Sequence, residues 1–198
     1  MGLEIEYIIG QTRLSEEEME ELKIFSITTR GELDEFEQLN IQKAIEWTLR
    51  LKIKPENLCT EKFALDLHKK MFGDVWRWAG SFRKSEKNIG VLSYKIAVEL
   101  KQLLDDTLYW FKNDTYSNNE IAIRFKHRLV SIHCFPNGNG RHSRLMADLI
   151  MVKLFNESYF SWGSRSLAKA NEIREKYIKA LKEADNQNYE PLITFAKS

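Results

Sequence analysis

The sequence predicts an all-α fold with one small β-hairpin, and three observations lead to this prediction. Only three prolines and nine glycines occur in the 198 residues, so few positions interrupt a helix. Apolar side chains recur at the spacing of amphipathic helices along most of the chain. That spacing is lost over residues 79–91, where short extended-looking pieces surround a charged turn and favour a hairpin.

Capping residues and helix breakers set the expected boundaries. Capping boxes at Ser15 and Ser117 place a hydroxyl before a helix and a carboxylate three residues later, so each begins a helix. Pro55 and Gly73 each end one. In chain order, the predicted helices span about residues 15–26, 28–54, 60–72, 93–111, 117–132, 141–152 and 167–181, with the hairpin over 81–92.

Length and charge favour one compact domain that binds no charged macromolecule. We expect an N-terminal helical segment over residues 1–39 and a core over 40–198, which together form one domain. A net charge of +1 gives no reason to expect nucleic acid or a membrane surface as a partner. The N-terminus is acidic and unlike a signal peptide, and no apolar run approaches the roughly 20 residues of a membrane span. Cys59 and Cys134 form no disulfide or metal pattern, which favours the cytoplasm.

The stretch from residue 133 to residue 144, between two predicted helices, has a chemical signature. Gly138 and Gly140 give the backbone unusual conformational freedom and let it approach a ligand closely. Their amides, with those that begin the next helix, form a site suited to phosphate. Arg141 and Arg144 lie in the first turn of that helix, where a cation opposes the helix dipole unless an anion is bound. The stretch therefore predicts a phosphate-binding loop.

His133 stands at the start of this loop and is the expected general base. An imidazole with a pKa near 6.5 accepts a proton at neutral pH, and nucleotidyl transfer needs a base for the incoming hydroxyl. Two other interpretations are less favoured. Cys134 is adjacent to His133 in sequence, and such neighbours rarely form a nucleophile and base pair. A zinc site built from His133 with His127 and His142 matches no usual ligand spacing.

The loop resembles the motif of the Fic family. That motif runs His, any residue, Phe, any residue, Asp or Glu, Gly, Asn, Gly, Arg, two residues of any kind and Arg. Residues 71–80 and 88–91 also resemble the run that leads into the family's target-binding flap, and the likeness covers about residues 40–195. In particular the chain resembles the bacterial group labelled mobile mystery protein B. The matching positions of the motif are His133, Phe135, Gly138, Asn139, Gly140, Arg141 and Arg144.

The resemblance implies a Fic-type helical bundle with a β-hairpin flap, and a protein adenylyltransferase. In that reaction, His133 takes the proton of a Ser, Thr or Tyr hydroxyl of a target protein, and the hydroxyl attacks the α-phosphorus of ATP and expels pyrophosphate. Phe135 is the buried anchor of the loop. The implied phosphate ligands are Asn139 and the amides of Gly138 and Gly140 for the α- and β-phosphates, and Arg141 and Arg144 for the outer ones.

The resemblance also implies that the hairpin clamps the target segment by strand pairing, which aligns its hydroxyl. Because strand pairing uses main-chain groups, it depends little on the side chains of the target. The sequence therefore does not identify the target protein. The predicted flap residues are Lys87, Asn88, Ile89, Gly90 and Val91.

Asn137 is the one departure from the motif. It stands where the family usually has the acidic residue that helps to hold Mg²⁺. Because Mg²⁺ takes much of its binding from substrate phosphates, a neutral carbonyl oxygen is expected to serve more weakly. We therefore expect Mg²⁺ to be a cofactor of the reaction and Asn137 to be one of the residues that bind it.

A second family feature is an inhibitory helix whose Glu pairs with the second Arg of the motif. Residues 28–33 have its spacing, with Leu33 at the last place, and predict that Glu32 reaches Arg144 and keeps the enzyme largely inactive. Glu35 and Glu37 lie on the same predicted helix and are rivals for this role. A separate antitoxin-like regulator is a further expected partner.

Two classes of alternative remain open from the sequence. The first class keeps the same loop and changes the orientation or the identity of the nucleotide. It comprises phosphate transfer, UMP transfer and removal of AMP. A nucleotide-binding regulatory protein without transferase activity is the alternative outside enzymes, and Asn137 motivates it.

Overall fold

Helices provide the regular structure of residues 13–164, 166 and 169–198, the part of the chain that the computed structural model describes. Within these ranges no strand occurs, and one isolated bridge pairs Leu22 with Trp76 in antiparallel orientation. The predicted helical class is confirmed. The helices of the described ranges are α1 (Glu16–Glu20), α2 (Arg30–Arg50), α3 (Pro55–Leu58), α4 (Glu61–Phe72), α5 (Ile96–Lys112), α6 (Asn118–Ile132), α7 (Asn139–Leu154), α8 (Ala170–Asp185) and α9 (Glu190–Lys197), with a 3₁₀ turn at Ser93–Lys95.

Hydroxyl caps begin four helices where the sequence predicts them. α1 ends at Glu20 rather than near residue 26, because the backbone that follows turns away to pair with another segment. The Lys23 amide donates to the Val75 carbonyl at 2.8 Å, and the Arg77 amide donates to the Glu21 carbonyl at 3.0 Å. The capping hydroxyls are those of Ser15, Thr29, Thr60 and Ser117, which accept from the amides of Glu18, Glu32, Phe63 and Glu120 at 3.1 to 3.3 Å.

The sequence does not predict α3 and α9. They contain four and eight residues, too few for apolar spacing to separate a helix from a loop. The predicted start of the penultimate helix near residue 167 lies outside the described residues, and α8 begins at Ala170. No helix of the described part of the chain is long and apolar enough to cross a membrane.

α6 and α7 form the centre of the fold, on either side of the loop 133–138. They pack on each other, α5 and α9 pack on α6, and α4 packs on α7 and on α2. α7 buries ten of its residues, and each large apolar side chain buried in this way stabilises the fold by about 1.5–3 kcal/mol. The loop is thus anchored at both ends in well-packed helices, which fixes its position.

The β-hairpin predicted for residues 81–92 is not seen, and the structure corrects this expectation. The two arms of the segment form hydrogen bonds with the backbone of residues 132–134 instead of with each other. The Arg83 amide donates to the Cys134 carbonyl at 2.9 Å, and the Val91 amide donates to the Ile132 carbonyl at 3.3 Å. The segment is therefore a loop that lies along residues 132–134, and we call it the flap.

Candidate active site

His133 ends α6 in a backbone conformation that few residues adopt. Its φ and ψ are 58° and 60°, and its amide donates to the Leu129 carbonyl at 3.3 Å. A left-handed residue other than glycine costs free energy, although histidine tolerates this region better than most residues. The reversal stops the helix at His133 and directs the chain into the loop.

Asn139 and Gly138 shape the rest of the loop. The side-chain amide of Asn139 donates to the Phe135 carbonyl at 2.7 Å, and its oxygen accepts from the Phe135 amide at 2.9 Å. Both ends of this side chain are thus engaged inside the loop, whereas the sequence predicted a phosphate ligand. Gly138 has a φ of 77°, and a Cβ atom there would lie 2.6 Å from the Phe72 ring, so only glycine fits.

Arg83 of the flap lies beneath His133 and was not predicted. Its buried guanidinium donates to the His133 carbonyl at 2.7 Å and to the Ser85 carbonyl at 2.8 Å, and it also donates to the Val91 carbonyl. One side chain therefore holds both arms of the flap and the start of the loop 133–138. It also lies 3.5 Å from the Glu86 carboxylate. Sequence spacing does not predict its contact with the loop, because the acceptor there is a main-chain carbonyl.

Burial sets the protonation state of His133. Its side chain is withdrawn from solvent, and this burial, followed by the nearby Arg83 guanidinium, lowers the pKa of His133 from 6.5 to about 4. The imidazole is therefore neutral at physiological pH and able to accept a proton over the whole range in which a cell operates.

Buried histidines also predict acid lability. Burial lowers the pKa of His133 and His142 to about 4 and that of His68 well below 6.5. The unfolded state then binds more protons below pH 6.5, so stability is lost as pH falls, by about 2 kcal/mol at pH 5 for each of His133 and His142, and His68 acts in the same direction. Burial raises the pKa of Asp148 to about 6, which acts in the opposite sense and offsets one of them.

Urea unfolding at pH 7.5 and pH 5 should therefore show a net loss of about 2–4 kcal/mol. Carboxylates in ordinary ion pairs titrate mainly below this window, so they contribute little to the difference. A free energy of unfolding that stays constant between the two pH values would contradict the buried, neutral state of these rings.

The two arginines of the motif face different partners. The Arg141 guanidinium lies 4.8 Å from the Phe72 ring centroid and pairs with the carboxylate of Glu37, Nη1 to Oε2, at 2.7 Å. The Arg144 guanidinium lies 5.8 Å from the centroid of the Tyr177 ring. Arg141 is thus the motif arginine whose charge is paired with a carboxylate of α2.

Glu37, rather than Glu32, reaches the motif. Its other oxygen accepts from the Trp76 indole at 2.7 Å, and its side chain is buried. Glu32 is exposed and caps its own helix, where its carboxylate accepts from the amides of Thr28 at 2.9 Å and Thr29 at 3.0 Å. No ion pair joins Glu32 to Arg144 in the described residues.

Gly140 has no structural reason among the described residues to be glycine. It lies in the first turn of α7 with an ordinary helical backbone, and a Cβ atom there would meet no described atom within 4 Å. The expectation that it needs unusual backbone freedom is not met, whereas Gly138 does need it. The open space beside Gly140 is what a close-lying ligand would require.

Gly140→Ala should therefore separate stability from binding. Alanine is favoured over glycine in a helix by up to about 1 kcal/mol, so the variant should unfold at the same or a slightly higher temperature. Its affinity for ATP should fall about tenfold, because the added methyl group occupies ligand space. Calorimetric titration with ATP beside thermal unfolding tests this, and Gly138→Ala, which should lose stability, is the contrast. Unchanged ATP affinity would show that the space is incidental.

Asn137 offers little to a metal ion. Its side-chain oxygen accepts from the Gly138 amide at 2.7 Å, and the described residues contain no cluster of three His, Cys, Asp or Glu side chains able to hold a metal. Mg²⁺ is usually held by one or two carboxylates together with substrate phosphates. The residues present do not form a magnesium site by themselves.

The predicted flap residues divide into two groups. Lys87 is directed inward, where its ammonium pairs with the Glu18 carboxylate of α1 and donates to the Arg13 carbonyl at 2.9 Å. Residues 88–90 are exposed. Gly90 has a φ of 106°, and a Cβ atom there would lie 2.7 Å from the Cβ of His133. The exposed part of the flap thus borders His133.

The chain is similar to several known proteins. The chain is 23% identical over 163 residues to a protein adenylyltransferase Fic of Aedes aegypti, which covers 80% of this chain and 31% of that protein. The N-terminal FIC domain of the Bep8 effector from Bartonella sp. 1-1C superposes with a TM-score of 0.68 at 17% identity, covering 89% of this chain and 88% of that one. BepC of Bartonella tribocorum, solved with bound AMPPNP, has a TM-score of 0.65 at 19% identity, covering 96% and 93%.

The chain thus spans about a third of the length of the mosquito relative. The two effector structures share its fold. The Fic/DOC family matches residues 58–151, the part of the chain that contains α4, the flap and the loop. Residues 58–151 of this chain are therefore a Fic/DOC family domain.

Proposed function

We propose that this chain transfers AMP from ATP to a Ser, Thr or Tyr hydroxyl of a target protein, with His133 as general base. The observation that carries the proposal is a buried, neutral imidazole placed directly before the anion-binding N-terminus of α7. The mosquito relative is a protein adenylyltransferase and BepC has a bound nucleotide analogue, and both support the choice of ATP.

The chemical step follows from the protonation state of His133. The target hydroxyl oxygen forms a bond to the α-phosphorus, and its proton passes to the imidazole. The bond between the α-phosphorus and the bridging oxygen breaks, and pyrophosphate leaves with that electron pair. The imidazolium then returns its proton to solvent. Its pKa near 4 makes this return fast at neutral pH.

The start of α7 supplies the charge stabilisation. The first amides of a helix lack acceptors within the helix and, with the dipole, favour an anion. Gly138 forms the N-cap and Gly140 leaves open space, so phosphate oxygens are able to approach these amides closely. Arg141 and Arg144 add positive charge on the same turn, and no step in this scheme depends on a metal ion.

We propose that the protein is autoinhibited, and the Glu37 to Arg141 ion pair supports this. A phosphate group that binds Arg141 must displace a carboxylate that is buried and already hydrogen-bonded to Trp76. Glu37 was a rival in the sequence, and it replaces Glu32 as the proposed inhibitory residue.

The target segment is proposed to pair its backbone with the exposed flap residues 88–90, next to His133. The antitoxin-like regulator, the cytoplasmic location and the likeness to the mobile mystery protein B group stay predictions.

Radiolabelled ATP tests the proposal against its alternatives. The protein and a cell lysate are incubated with ATP labelled at the α- or the γ-phosphate. Label from the α position on protein supports AMP transfer, γ label alone indicates phosphate transfer, and stronger labelling from UTP indicates UMP transfer. No label, even from a Glu37→Gln variant supplied with Mn²⁺, would favour removal of AMP or a regulatory protein without transferase activity.

Asn137→Asp should increase the response to Mg²⁺. A carboxylate adds a charged oxygen where Asn137 has a neutral one, so the Mg²⁺ concentration for half-maximal transfer should fall about tenfold or more. The measurement is a Mg²⁺ titration of the initial labelling rate, with Asn137→Ala as the control that removes the oxygen altogether. If the aspartate and alanine variants respond alike, position 137 does not face the metal.

A further inference from the structure

His68 is a fully buried side chain of α4 to which the proposed reaction assigns no role. Its ring stacks on the Phe135 ring with the centroids 3.6 Å apart and the planes 13° apart. It also lies 4.8 Å, centroid to centroid, from Phe72, the ring on which Gly138 packs. The loop 133–138 thus packs on two rings of α4, those of His68 and Phe72, and the His68 ring is polar.

Both ring nitrogens of His68 have main-chain partners, and these fix its tautomer. The Gly80 amide lies 3.0 Å from Nδ1, and an amide N–H is only a donor, so Nδ1 carries no proton. Nε2 lies 3.1 Å from the Asn137 carbonyl oxygen, which is only an acceptor, so Nε2 carries the proton. The ring is therefore neutral, in agreement with a pKa that burial holds well below its ordinary value.

The hydrogen bond to Asn137 determines which way the next amide points. In a trans peptide unit, the C=O and the following N–H point in opposite directions. Because His68 holds the Asn137 carbonyl on the core side, the Gly138 amide points away from the core. That amide donates to the Asn137 side-chain oxygen at 2.7 Å, so a negatively polarised oxygen already occupies the position of an anion.

The hydrogen bond from Gly80 connects the same ring to the flap. Gly80 directly precedes the flap, and its φ is 81°. A Cβ atom there would lie 2.7 Å from the Cβ of Lys69 and 2.9 Å from the Leu65 carbonyl oxygen, so this turn packs tightly on α4. One imidazole therefore contacts the beginning of the flap and the phosphate-binding loop at once.

We infer that His68 is a positioning residue that orients the Asn137–Gly138 peptide, so that the Gly138 amide faces the nucleotide phosphates, and that fixes the root of the flap relative to this amide. The inference rests on the proposed function, because it takes the phosphates of a nucleotide as the ligand. His68 does not touch the reacting atoms and acts through the loop.

Two substitutions of His68 each keep one of its hydrogen bonds and remove the other. In His68→Asn, the side-chain oxygen takes the place of Nδ1, so it keeps the acceptor for Gly80 and loses the donor to Asn137. In His68→Gln, the side-chain nitrogen takes the place of Nε2, so it keeps the donor to Asn137 and loses the acceptor for Gly80. Both variants lose the ring that stacks on Phe135, and the difference between them therefore isolates the hydrogen bonds.

The primary measurement is calorimetric titration of the full chain with ATP. We expect His68→Asn to bind ATP about five- to tenfold more weakly than His68→Gln, as for the loss of one hydrogen bond. His68→Gln should keep an ATP affinity within about threefold of the wild type. A structural role alone would lower both affinities equally, and equal ATP affinities in the two variants would overturn the inference.

A spectroscopic measurement on the wild-type protein covers the case in which neither variant folds. With ¹⁵N-labelled histidine, His68 should show a protonated Nε2 and an unprotonated Nδ1, with slow exchange of the Nε2 proton, from pH 6 to pH 8. The opposite tautomer would overturn the inference. Neither the ATP affinity nor the tautomer of His68 depends on transfer chemistry. A wild-type protein that binds ATP but transfers nothing would therefore contradict the proposed function, and the role of His68 could still be measured.

Discussion

His133→Asn is expected to lower AMP transfer by about two to four orders of magnitude while the protein stays folded. Asparagine accepts the left-handed backbone conformation that His133 has at the end of α6, so the loop keeps its course. Its side-chain amide is not basic at neutral pH, so the proton of the target hydroxyl has no acceptor. The loss should appear in kcat rather than in the affinity for ATP, because the phosphate site belongs to α7.

The experiment compares the labelling rate, the thermal unfolding temperature and the ATP affinity of the wild type with those of His133→Asn. His133→Ala serves as a second variant and should be equally inactive but less stable, because alanine pays a larger cost for a φ near 58°. Transfer that survives in His133→Asn at more than about a tenth of the wild-type rate would exclude His133 as the general base.

Glu37→Gln should raise the rate of transfer by about one to two orders of magnitude. Glutamine keeps an oxygen for the Trp76 indole but removes the charge that pairs with Arg141. Arg141 is then available to a phosphate group without first breaking a buried ion pair. The gain should be largest at low ATP concentration, because released Arg141 acts first on binding.

Two exposed carboxylates on α2 provide matched controls. Glu35→Gln and Glu32→Gln each remove one negative charge from the same helix, and glutamine at position 32 keeps an oxygen for the capping amides. Both should transfer at the wild-type rate, and Glu32→Gln should lose only about 0.5 kcal/mol of stability, from the lost charge near the helix N-terminus. If Glu32→Gln activated the protein and Glu37→Gln did not, the ion pair seen between Glu37 and Arg141 would be unrelated to inhibition.

The residues that sequence reasoning placed correctly depend on local chemistry. Hydroxyl caps at Thr29, Thr60 and Ser117 are read within four residues, and the helix starts follow from them. The turn at Gly138 is equally local, because its left-handed backbone favours glycine whatever surrounds it. These features could be predicted because each is specified by near neighbours in the chain.

The features that sequence reasoning missed depend on partners far along the chain. The flap does not form a hairpin because its amides find acceptors at Ile132 and Cys134, about 40–50 residues later. Glu32 fitted a known spacing, whereas Glu37 is preceded four residues earlier by Leu33 instead of a hydroxyl. A usable signal did exist, since Glu37 is a carboxylate on the face of α2 that buries Leu33 and Ala44. A charge on an apolar helix face needs a partner.

Arg83 and His68 show a second reason for failure. The groups that connect them to the loop are carbonyl and amide groups of the main chain, which every residue has, so no pairing of side chains in the sequence points to these contacts. His68 lies among the apolar positions of α4, where a histidine usually packs in the core. Only the fold shows that the groups facing this ring belong to the loop and the flap.

The contacts of α1 and α2 bear on what can be excised from this chain as a working unit. The Glu18 carboxylate of α1 accepts from the Ser85 hydroxyl at 2.7 Å and pairs with Lys87, while Glu37 of α2 covers Arg141. Leu33 and Leu192, from outside residues 58–151, belong to the same hydrophobic core as the helices that carry the loop. A fragment limited to residues 58–151 would therefore retain the family motif yet expose apolar core surface, and it would lose the groups that restrain the flap and Arg141. The stretch by which the family is recognised is smaller than the stretch that has to fold together.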